Sequence, residues 1–338
     1  MRLTGGMRSV GLALLLVAAS ACTDDGGPST DDLGFEDGFD DSQGDGKTDL
    51  SGVSVPLHHR FSDSRLYPEG AALDPTDRSI YVGSIERGSI TRVNADGTES
   101  TIFAGGEKDR FTLGMQVDAA RRRLWVCTTK DSLGTVWLFD LNTNTRTRSI
   151  DLTRVNPKAA CNDVLIDNDG SILISDRENE HIYRADAQGR LSVWANDPKL
   201  GGAVISLNGL VFTPDHSAVI TATYLPPTLV RVSTSNPRDV KKVKLDGAFF
   251  MDGFNLLNGP DDPLMRDDGT LLVAFGSSIK TIIPDDVSWA RATVSSQRSI
   301  GGVTALVADG DTVYGINGQS VRYLLGLSPA PFQIFEVD

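Results

Sequence analysis

Asn162-Asp163-Val164-Leu165-Ile166-Asp167-Asn168-Asp169-Gly170-Ser171-Ile172-Leu173-Ile174-Ser175 reads as a β-hairpin. A polar pair leads into an apolar run, Asp169-Gly170 marks a turn, and a second apolar run returns. Asp-Gly between apolar runs signals a tight hairpin because the glycine tolerates positive φ. The same pattern recurs on both sides. Upstream, Glu69-Gly70 leads to Leu73-Asp74 and Leu113-Gly114 to Val117-Asp118. Downstream, Asn208-Gly209 leads to Phe212-Thr213, Asp252-Gly253 to Leu256-Leu257, and Val303-Thr304 to Val307-Ala308. The second members of these pairs lie 44 to 51 residues apart, the mark of one supersecondary unit copied six times.

Each unit continues into a second strand, at 79–83, 124–128, 172–175, 218–221, 270–274 and 313–316. Third and fourth strands follow in most units, as at 181–184 and 191–195. Four short antiparallel strands per repeat, without helical periodicity, predict an all-β fold, a six-bladed β-propeller over residues 51–338. A β-sandwich does not predict six equivalent segments. Residues 301–338 are expected to form most of the sixth blade, with 53–61 adding an outer strand that locks the ring. His58 and His59 fall in that closing strand, where adjacent side chains face opposite sides and a structural role is expected. The irregular stretch 258–267 is expected to be a loop.

The chain before residue 51 has a different character. Arg2, Arg8, the apolar run 10–19 and Ala19-Ser20-Ala21 form an export leader over 1–21, too short to remain as a bilayer-spanning helix. The small residues leading into Cys22 resemble a bacterial lipobox, which implies a lipidated Cys22; an unmodified cysteine is the alternative. Residues 23–50 hold ten acids and one base, and 22–50 reads as a disordered acidic linker. The expected location is the periplasm or cell surface, or the medium if secreted. Membrane contact is expected only through the N-terminal lipid.

The 338 residues carry a formal net charge of −13, but from residue 51 onward only 35 acids face 29 bases. No basic stripe offers a phosphate grip, so nucleic acid is excluded as the expected partner, and a monomer is expected. Of the three cysteines, Cys127 and Cys161 could pair in an exported chain, although spacing alone does not decide it.

In a propeller the first strand of each blade lies nearest the axis, so equivalent residues converge there. The first members of the six pairs are Glu69, Leu113, Asn162, Asn208, Asp252 and Val303. An isolated Asn-Gly or Asp-Gly is ordinarily a plain turn, but two carboxylates and two carboxamides coinciding in one repeat position suit a hard cation bound through oxygen.

Tyr67-Pro68-Glu69-Gly70, Asn162-Asp163, Ser206-Leu207-Asn208-Gly209 and Met251-Asp252-Gly253, in this order and spacing, resemble the motifs of the regucalcin and gluconolactonase family of six-bladed lactonases. The resemblance implies that Glu69, Asn208 and Asp252 bind one divalent cation, calcium first, with zinc, manganese or magnesium as alternatives. It implies substrate binding by Asn162, and Asp252 as the catalytic carboxylate that positions or deprotonates water. The implied reaction is hydrolysis of a small-molecule lactone or related ester. The family often carries arginine two residues before the motif asparagine; this chain has Ala160 there, which argues against aldonolactone specificity. Two other readings remain open: a non-catalytic propeller that binds a protein or glycan, and an arylesterase or phosphotriesterase using the same metal.

Overall fold

The computed structural model describes residues 58–203, 205–247 and 259–337. The expected leader, linker and Cys22, and also Asp252, lie outside the described residues. Six β-sheets, each beginning with an inner strand, make up the described chain. The inner strands are Pro68–Asp74, Arg110–Asp118, Cys161–Ile166, Leu207–Phe212, Pro260–Met265 and Val303–Asp309. Each packs beside the next, and the sixth packs beside the first, so the sheets close into a ring. This is the six-bladed propeller that the repeat spacing predicts.

The second strands explain why the blades read as apolar runs rather than as alternations. Ser79–Ser84, Ile172–Asp176, Ala218–Thr223 and Leu271–Phe275 are buried along their whole lengths, because a blade is covered on both faces by its neighbours. Blade contact is tight near the axis. A Cβ on Gly70 would lie 2.3 Å from the Leu113 carbonyl oxygen of the next blade.

Closure follows the expected route. His58–Arg60 pairs antiparallel with Gln333–Glu336, His59 opposite Ile334, which completes the sixth blade with the start of the described chain. His59 Nε2 lies 3.0 Å from Glu99 Oε1 on the outer strand of blade 1, and the Ser62 hydroxyl donates to the same carboxylate at 2.6 Å. The closing histidine is thus a latch between the first and last blades.

Blade 5 departs from expectation in two respects. Its inner strand is Pro260–Met265, inside the stretch read as a loop. Pro260 and Pro263 disguise it in sequence, but an inner strand has one edge facing the channel, where a missing N–H breaks no ladder bond. The blade also gains a fifth strand, Lys244–Gly247, parallel to Arg291–Ser299.

Candidate active site

A β-bulge interrupts each inner strand near its start. Two residues on the inner strand face one on its partner at Glu69-Gly70, Leu113-Gly114, Asn162-Asp163, Asn208-Gly209 and Asp261-Asp262. A bulge bends the strand and re-aims its side chains. Three of the pairs read from the sequence, Glu69-Gly70, Asn162-Asp163 and Asn208-Gly209, are such bulges, and they bring Glu69, Asn162 and Asn208 to the channel.

One cavity of about 370 Å³ occupies the channel. Glu69, Asn162, Asp163, Asn208, Asp261, Asp262 and Thr304 line one end of it. Glu69, Asn162 and Asn208 therefore come together as the sequence implies. The position assigned to Asp252 in blade 5 is held by Asp261, at the same place in the bulge. Leu113 and Val303 do not line the channel: both are buried in apolar clusters between blades. Gly114 lines it in blade 2. In blade 6 the bulge contains a single extra residue, Thr304, which shifts the channel-facing position by one.

The segments leading into these residues are held rigidly. Asp176 accepts hydrogen bonds from the Ala160 amide at 3.2 Å and from the Tyr183 hydroxyl at 2.7 Å, and it fixes the approach to Asn162. The Arg177 amide donates to Ala160 O, the Ser206 amide to Arg177 O, and the Tyr224 amide to Ser206 O. This backbone relay crosses the entry to blades 3 and 4. Cys127 and Cys161 form a disulfide with their Cα atoms 5.6 Å apart, tying the residue before Asn162 to the second strand of blade 2.

Within the cavity, the Asn208 amide nitrogen donates to Asp261 Oδ1 at 2.8 Å. Asp163 Oδ2 accepts the Leu210 N–H at 3.1 Å, and Asp262 Oδ2 accepts the Leu306 N–H at 2.9 Å. Both carboxylates thus bridge from one blade to the next.

Four carboxyl groups in one channel perturb one another. Burial pushes Glu69 well above the usual carboxylate range; the negative charge of Asp261 adds to this, while the Arg177 guanidinium opposes it. Burial raises Asp163 to about 7 despite its bond to Leu210. Asp261 is likewise raised to about 7, by burial first and by the charge of Asp163, with the Asn208 hydrogen bond opposing. Asp262 rises through burial and then through the charge of Asp163. Burial and Asp261 together hold the Tyr224 phenol protonated. Like charges brought this close disfavour simultaneous ionisation unless a proton or cation compensates.

Among the described residues, no group of three or more His, Cys, Asp or Glu is arranged to hold a metal ion by itself. An ion here needs amide oxygens as well, which Asn208 and Asn162 can supply. All of these donors are oxygen, and four carboxyl groups stand together in one cavity, so the residues present fit a hard divalent cation.

Asp163, Asp261, Asp262, Arg177, Tyr224 and Thr304 are the residues that the sequence reading missed. Asp261-Asp262 could have been found, since an oxygen-bearing residue followed by Asp repeats the pattern of Asn162-Asp163. Arg177 and Tyr224 stand at the ends of second strands, outside the repeat position.

The model of the SMP-30/gluconolactonase/LRE-like region matches residues 67–299. No curated protein sequence matches the chain. Solved structures similar to it include the major allergen Mala s 1 of Malassezia sympodialis, with TM-score 0.69, 17% identity, and coverage of 84% of this chain and 96% of the allergen. A gluconolactonase from Xanthomonas campestris gives TM-score 0.59 and 17% identity over 79% of this chain and 84% of that one. A calcium-binding regucalcin from Agrobacterium tumefaciens gives 0.57 and 14% over 84% and 96%. At these identities the likeness supports the fold.

Proposed function

The chain belongs to the SMP-30/gluconolactonase/LRE-like family, and from that premise we propose that it is a divalent-cation-dependent hydrolase that opens a lactone or related ester. The observation that carries this reading is the convergence of Glu69, Asn162, Asn208 and Asp261 at one end of a single cavity. Glu69, Asn208 and Asp261 would hold the cation, calcium first. Asp252, which the sequence motif favours as ligand and catalytic carboxylate, lies outside the described residues. When bound, the cation supplies Lewis-acid polarisation of the ester carbonyl.

The remaining chemistry belongs to the chain itself. Asp261, oriented by the Asn208 amide, accepts the proton of the attacking water as its oxygen bonds to the acyl carbon. The acyl C–O bond then breaks, the leaving oxygen takes back the proton held by Asp261, and a hydroxy acid results from a lactone. The Asn162 amide orients the substrate from blade 3, two blades away from Asp261. The Arg177 guanidinium acts on this cluster electrostatically, opposing the rise of Glu69, and the Tyr224 phenol stays protonated beside Asp261. Export and a lipid on Cys22 complete the proposal and place this activity outside the cytoplasm; a Cys127–Cys161 disulfide suits that compartment.

Hydrolysis of a panel of lactones, aryl esters and organophosphates, with calcium and with chelator, tests the reading. Calcium-dependent turnover of lactones is expected. Turnover of organophosphates alone would favour the phosphotriesterase reading, and no turnover would favour a binding propeller.

A further inference from the structure

The cavity does not end at the acidic cluster. It continues along the inner strands, where Leu73, Val117, Leu165, Val211, Leu264 and Ala308 contribute one apolar residue from each blade. Leu165 is buried, but the other five are only half-buried. They pack against the apolar clusters between blades and leave part of their surface facing the channel. Incompletely buried apolar side chains from five of the six blades around one channel are a more informative feature than single exposed ones.

Inner strands also present an unpaired backbone edge to the channel, which would ordinarily make such a wall polar. Here several of its donors are already taken. Gln116 Oε1 accepts the Ile166 N–H at 2.6 Å, Asp163 accepts that of Leu210, and Asp262 that of Leu306. In each case a side chain of one blade satisfies the edge of the next. Among the described residues lining this section Gln116 is the one polar side chain, so ordered water finds few side-chain partners there. An apolar group that displaces poorly held water gains affinity.

We infer that the channel below the acidic cluster binds the unbranched alkyl substituent of the substrate, so that the hydrolysed lactone or ester is amphiphilic, with its reacting head at Asp261 and its tail among Leu73, Val211 and Ala308. This rests on the hydrolase reading above and names its substrate class. The apolar ring lies three to four residues beyond the bulges, about 10–13 Å along a strand, room for roughly eight methylenes. A polyhydroxylated sugar lactone leaves this section unfilled.

The test is a series of γ-lactones from γ-butyrolactone to γ-dodecalactone, measured as kcat/KM on the calcium-loaded protein. The expected rise is about fourfold per added methylene, levelling near the longest member. Ala308→Phe, which fills the lower channel, and Val211→Asp, which charges its wall, are each expected to flatten the slope, with circular dichroism confirming the fold. If both variants fail to fold, the wild-type series decides alone. Turnover of γ-butyrolactone with no dependence on chain length would overturn this inference and leave the hydrolase reading standing. No turnover of any member would remove the hydrolase reading, and this inference with it.

Discussion

Asp163→Asn isolates the electrostatic strain of the channel. Asp163 is 9% exposed, and burial raises its carboxyl from 3.8 to about 7. An acid whose folded pKa is raised contributes stability that is fully present below its unfolded pKa and is lost as pH climbs through the folded value. The window therefore runs from about pH 4 to 7. A shift of about three units corresponds to about 4 kcal/mol lost across it. The asparagine keeps an oxygen for the Leu210 N–H but weakens that bond by about 1 kcal/mol. Metal-free Asp163→Asn should thus be more stable than wild type at pH 8 by about 3 kcal/mol, and slightly less stable at pH 4. In urea with chelator, that gain moves the midpoint upward by about 1 M or somewhat less. A variant destabilised equally at both pH values would refute the reasoning.

Two further perturbations test the scaffold. Gly70→Ala should cost at least about 1–3 kcal/mol, because the new Cβ meets the Leu113 carbonyl and the Gly114 Cα, backbone atoms with little freedom to move; an unchanged melting temperature would contradict the close approach of blades 1 and 2. Removing the Cys127–Cys161 link, which closes a sequence separation of 34, should cost about 3–4 kcal/mol by loop-closure entropy. Thermal melts of the double serine variant, compared with wild type under non-reducing conditions, check this, and equal stability would show that the link contributes nothing.

The ring and half of the site were legible because both follow from repetition. Turn residues at a fixed spacing exposed the blades, and Glu69, Asn162 and Asn208 stood at one place in the repeat. Blade 5 was misread because Pro260 and Pro263 look unlike a strand unless one knows that its edge faces a channel. Thr304 was missed by one position, since the blade 6 bulge is a residue shorter than the others. Arg177 and Tyr224 act on the acidic cluster from the ends of second strands, a relation set by ring closure and the backbone relay through Ser206 rather than by any local motif. The disulfide likewise depends on adjacent blades bringing Cys127 to Cys161.

Calorimetric titration of calcium into chelator-treated protein at pH 8 tests the central claim most directly. One ion should bind wild type, and both Glu69→Gln and Asp261→Asn should weaken that binding at least tenfold, since each removes a charged oxygen donor from the shell. Absence of calcium binding to wild type, or equal binding by both variants, would contradict a cation site at the mouth of the channel.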